Sequence, residues 1–64
     1  MVVKIRIASV KGDIPQILEL PQARAFVDGY TQRGWISAIN GRVGTSGFIE
    51  DGDEVKLYPA IGGG

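Results

Sequence analysis

The sequence predicts an α+β domain in two layers, one helix packed across a mixed sheet of four to five strands. Three observations predict it. Two segments at opposite ends of the chain, "VVKIRI" and "EVKLY", alternate apolar and polar residues, the period of a half-buried strand. One segment between them, "QARAFVDGYTQRG", changes to the helical period. Glycine-containing turn signals divide the remainder into strand-length pieces. One helix and one sheet bury their apolar faces only against each other, which is the two-layer solution.

The elements follow in order. Val3, Ile5 and Ile7 alternate with Val2, Lys4 and Arg6 to give the first strand. Gly12 and Asp13 tolerate positive φ and mark a turn. "IPQILEL" returns as the second strand of a hairpin, with Pro15 confining its start to an edge or a first position. Pro21 breaks that strand and suits the first turn of a helix, where its missing N–H goes unused. Ala23, Phe26, Val27 and Tyr30 fall on one helical face, with Gln22, Arg24, Asp28 and Gln32 opposite. Gly29 inside this helix costs about 1 kcal/mol relative to alanine, and Gly34 just past it fits a C-terminal stop. "WISAIN" is the third strand, and Asn40-Gly41 is the strongest short hairpin signal. "RVGTSGFIE" reads as an irregular return with a short strand near Val43. Asp51-Gly52 is a tight turn, and "EVKLY" closes the fold with Val55 and Leu57 inward and Lys56 and Tyr58 outward, until Pro59 stops it. The first and last strands are the most apolar, so they pair side by side and in parallel at the sheet centre. That arrangement describes a β-grasp spanning residues 1–59, followed by a flexible tail, 60–64.

Composition narrows the chemistry. Sixty-four residues make one domain, and a chain of this size buries only about 60% of its unfolded surface. Cysteine and histidine are both absent. The commonest nucleophile, general base and metal ligands are thereby removed, and no pair of carboxylates is placed for acid–base work. No catalytic residue and no metal site are expected. Seven basic residues cancel seven acidic ones, so the basic stripe of a nucleic-acid binder is missing. No apolar run reaches membrane-spanning length, and the N-terminus is too alternating for a signal peptide. A cytoplasmic protein is expected.

The last third of the chain resembles the C-terminus of the ThiS/MoaD family of ubiquitin-like sulfur carriers. Ile49 holds the family's aliphatic position; Asp51, Gly52, Asp53, Glu54 and Val55 match its turn and strand; Leu57, Tyr58 and Pro59 follow, and the chain ends in glycines. "SAIN", Ser37 to Asn40, is similar to the family's small–aliphatic–Asn segment. The earlier two thirds match in element order and length. One departure is that the family usually ends in two glycines and this chain ends in three.

The resemblance implies a carrier, not an enzyme. A ubiquitin-activating-type enzyme would use ATP to adenylate the carboxylate of Gly64. A sulfur donor, either a cysteine desulfurase or a rhodanese-like protein, would then convert it to a thiocarboxylate for a sulfur-accepting synthase. Cofactor biosynthesis of the thiamin or molybdopterin type, or a related thiolation, would consume it. Gly63, Gly62, Ile61 and Ala60 would be the tail that the activating enzyme recognises. Residues without Cβ thread narrow channels, and the five residues after Pro59 reach at most about 17 Å. Tyr58 and Phe48 are the candidate docking surface beside the tail. The alternatives are a β-grasp interaction module that is never activated, such as a phage tail-assembly domain, and a ubiquitin-like modifier of lysines.

Other residues read as structural. Trp35 is a plug at the edge of the core; Arg24, Arg33 and Arg42 are solvated surface. "NGRVGTSG" lacks the spacing of a phosphate loop. "DGDE" lacks the ligand count of a calcium loop and is a turn.

Overall fold

A computed structural model describes residues 2–59. The order is β1 (Val2–Ile7), β2 (Ile14–Glu19), α1 (Leu20–Thr31), β3 (Ile36–Ile39), β4 (Arg42–Val43), a 3-10 turn (Ser46–Phe48) and β5 (Glu54–Tyr58). The strands form one mixed sheet in the order β2-β1-β5-β3-β4. β1 and β5 run parallel, with Ile5 opposite Val55 and Ile7 opposite Leu57. The other pairings are antiparallel. The expected α+β architecture is therefore present, with five strands.

Burial explains why the two ends of the chain meet. Val3, Ile5 and Ile7 of β1 and Val55 and Leu57 of β5 are buried and face the helix. Ala23 and Val27 of α1 cover them, and Leu18, Leu20, Phe26, Tyr30 and Trp35 close the margins. Ile49, in the loop before β5, is fully buried in the same core. Placing the two most apolar strands centrally removes the most apolar area from water.

The edges carry what the centre cannot. Lys4 and Ala8 donate their N–H groups to the β5 side, to Asp53 and Leu57. The even-numbered residues of β1 thus bond β5, and Val3, Ile5 and Ile7 bond β2. Pro15 lies opposite Arg6, so its nitrogen points off the sheet edge, where no ladder bond is lost.

Three local details differ from the sequence reading. The helix begins at Leu20, one residue before Pro21, because extended Glu19 (φ −64°, ψ 153°) leads directly from β2 into the first turn. The β1–β2 connection is a loop over 8–13 and not a tight Gly-Asp turn. Its own turn runs from Ser9 to Gly12, with Gly12 at φ 111° and its N–H on the Ser9 carbonyl. The glycine-rich return contains a 3-10 turn stabilised by Phe48 and Ile49 N–H groups donating to Thr45 and Ser46. The helix ends as its glycine implied. Gly34 takes φ 93° and donates to Thr31, and Trp35 donates to Tyr30, the bond pair of a Schellman motif.

Candidate functional site

The candidate site is the end of β5, where the chain leaves the sheet. Strand alternation puts Val55 and Leu57 under the helix and Glu54, Lys56 and Tyr58 on the sheet's opposite face, away from the helix. β3 adds Ile36 opposite Tyr58 and Ala38 opposite Lys56; β4 adds Val43 opposite Ala38. Tyr58 is 41% exposed, and Ile36 and Val43 are also exposed. The result is an apolar patch of two large side chains, Tyr58 and Ile36, beside the last described residues, with Val43 one strand further out on β4.

A charged ladder runs alongside that patch. Arg6 Nε donates to Glu54 Oε2 at 2.6 Å. Lys56 Nζ lies 3.0 Å from Asp13 Oδ2 and 5.3 Å from the Tyr58 ring centroid. The hydrogen bond and charge of Asp13 raise the Lys56 pKa above its ordinary value, helped by Tyr58. Arg6, Asp13, Lys56 and Tyr58 share a shallow concavity of about 380 Å³ with Ala38, Asn40 and Glu54. Its charges are paired within the chain, Arg6 with Glu54 and Lys56 with Asp13, so it presents little net charge.

The "DGDE" segment is a turn with a built anchor. Gly52 takes φ 86°, and Asp53 N–H donates to the Glu50 carbonyl at 3.1 Å. Asp53 Oδ2 accepts the Glu50 N–H at 2.9 Å, and its Oδ1 accepts from Asn40 Nδ2 at 3.0 Å. Asn40 Oδ1 in turn accepts the Glu54 N–H at 3.0 Å. Bonds from Asn40 and from the Glu50 backbone hold the Asp53 pKa below its ordinary value, against weak desolvation. "SAIN" and "DGDE" are thus two halves of one clasp that fixes where β5 starts.

Two positioning residues escaped the sequence reading. Arg24, expected as solvated surface, donates through Nη2 and Nε to the Ile49 carbonyl at 2.8 and 3.2 Å. It ties the helix to the buried loop residue before β5. Helical periodicity places Arg24 on the outer face and carries no signal for a carbonyl brought in from another segment. Ser37 is buried at 2% exposure; its hydroxyl donates to the Gly44 carbonyl, and Gly44 N–H donates back to the Ser37 carbonyl. A lone serine in an alternating apolar strand was the available signal.

The proposed docking pair separates. Phe48 is 74% exposed but lines a different concavity, with Ile39, Arg42, Val43 and Gly44 at the β4 edge. Tyr58 lies on the sheet face away from the helix instead, so the two rings do not share one concavity. Ala60, Ile61, Gly62, Gly63 and Gly64 lie outside the described residues. Trp35 packs at the core margin, its ring edge-on to Tyr30 with centroids 4.9 Å apart. Among the described residues no group of His, Cys, Asp or Glu is placed to hold a metal ion. No helix among them is long and apolar enough to cross a membrane.

Compared with protein-family profiles, curated proteins and solved structures, the chain matches none of them.

Proposed function

We propose that this chain is a β-grasp sulfur carrier of the ThiS/MoaD type, whose Gly64 carboxylate is adenylated by a partner enzyme and converted to a thiocarboxylate. One observation carries the reading. The strand that leads into the glycine-ended segment is the middle strand of the sheet, with β1 on one side and β3 on the other. A tail used by a foreign active site needs a fixed root, and a central strand is the most firmly held element in such a sheet. Val55 and Leu57 are fully buried, and the Asn40–Asp53 clasp fixes the strand's first residue.

The chemistry fits a substrate more than a catalyst. A carboxylate becomes electrophilic only when one oxygen is made a good leaving group, which a nucleotide-binding partner supplies. The chain's part is to present the carboxylate and to dock. Tyr58 and Ile36 beside the root supply the apolar contact; the Arg6–Glu54 and Lys56–Asp13 pairs set its rim.

The test is intact mass after incubation with ATP, an adenylating enzyme of the ubiquitin-activating type and a persulfide donor. The expected result is replacement of one oxygen by sulfur, lost on deletion of Gly63 and Gly64. An unchanged mass alongside measurable binding of the adenylating enzyme overturns the carrier reading and leaves an interaction module.

A further inference from the structure

Asn40 is the single asparagine of the chain, and Gly41 follows it. An asparagine before glycine carries a latent reaction, because the next residue's backbone nitrogen can attack the side-chain amide carbon. Glycine has no Cβ to obstruct that approach. The Gly41 nitrogen loses its proton as the N–Cγ bond forms; the Cγ–Nδ2 bond breaks and ammonia leaves, closing a succinimide ring. Water then opens the ring at either carbonyl, leaving aspartate or isoaspartate at position 40. The balance is asparagine plus water giving the acid plus ammonia.

The fold grips both ends of the reacting amide. Nδ2 donates to Asp53 at 3.0 Å, and Oδ1 accepts the Glu54 N–H at 3.0 Å. The backbone is held as well. Asn40 N–H donates to the Glu54 carbonyl at 2.7 Å. Asn40 sits at φ 51° and Gly41 at φ 87°, the left-handed pair of a tight hairpin turn. Cγ is thereby drawn toward the start of β5, and ring closure requires the amide's bonds to break and the turn to open.

We propose that Asn40 is a deamidation site latched by its own hairpin, modified only when the turn opens and unable to relatch afterwards. The second half follows from the product. Aspartate at 40 puts an oxygen where Nδ2 donated, so two carboxylates face each other. Asp53 also accepts the Glu50 N–H at 2.9 Å, and the repulsion is transmitted to the turn before β5. Isoaspartate further lengthens the backbone inside a two-residue turn.

The experiment compares the whole chain, folded and unfolded in guanidinium chloride, in warm neutral buffer, read by intact mass with peptide mapping. Conversion of amide to acid changes the mass. Asp28-Gly29 and Asp51-Gly52 can isomerise through the same ring without changing it, and mapping separates Asn40 from the glutamines. The folded chain is expected to convert at least about tenfold more slowly than the unfolded one, the protection given by local opening. Asp53→Ala, where folded, is expected to convert faster than the wild type. Asn40→Asp and the purified deamidated protein are expected to melt about 5 °C lower. Equal rates in folded and unfolded wild type, or no conversion in either, overturn the latch. Unchanged melting of both acid forms overturns the loss of relatching.

Discussion

Asp53 shows how one side chain sets the root of a strand. Its carboxylate accepts from Asn40 and from the Glu50 backbone, and both bonds favour the ionised form. A depressed folded pKa gives stability that is fully present above the unfolded value. That stability is lost as pH falls through the folded value. The melting midpoint is therefore expected to drop across the acid range below about pH 4. Asn40→Ala should flatten that drop, which a pH series of thermal melts measures. In the proposed carrier reading, Tyr58 is the residue on which docking turns. It is 41% exposed and lies outside the core, so Tyr58→Ala should leave the melting midpoint nearly unchanged. An aromatic anchor at an interface is worth about 2 kcal/mol; kcat/KM for adenylation of the variant is expected to fall by roughly tenfold or more. Unchanged kcat/KM would remove Tyr58 from the interface.

Between elements, the Arg24–Ile49 contact joins α1 to the loop that feeds β5. The guanidinium donates twice to one carbonyl, and a hydrogen bond with one charged partner is worth about 1.5–3 kcal/mol. Arg24 is exposed overall, which places the expected loss for Arg24→Ala near the lower figure. Denaturant titration of Arg24→Ala and Arg24→Lys measures it, and the lysine variant should recover part of the loss through a single bond. An Arg24→Ala midpoint equal to the wild type would mean that Ile49 is held by burial alone. Ser37 and Gly44 make a second such tie, which fastens the two-residue β4 to β3.

At the scale of the molecule, stability depends on a few apolar side chains. Leu57 is fully buried on the central strand between β1 and β3. Leu57→Ala is expected to cost about 3 kcal/mol, a large share of the 5–15 kcal/mol typical of a whole domain. The circular dichroism of the variant should show a substantial unfolded fraction at moderate temperature. A fully cooperative, wild-type-like melt would mean that the core reaches well beyond β1, β5 and α1. Because β1 and β5 come from opposite ends of the chain, their pairing closes nearly the whole sequence into one loop. Such non-local contacts are slow to form, so β5 takes its place only as the global fold is completed.

Local order was written in the sequence. Alternation fixed β1 and β5, the Ala23–Val27 face and Gly34 fixed the helix and its stop, and Asn40-Gly41 fixed a hairpin, because each signal is carried by neighbouring residues. Shared apolar character was enough to pair β1 with β5. What neighbours cannot encode was decided by the tertiary structure: that Arg24 meets the carbonyl of Ile49, that Asn40 and Asp53 form one clasp, and that Tyr58 and Phe48 line separate concavities. Those contacts join residues far apart in the chain, and their partners exist only once the sheet and helix have packed.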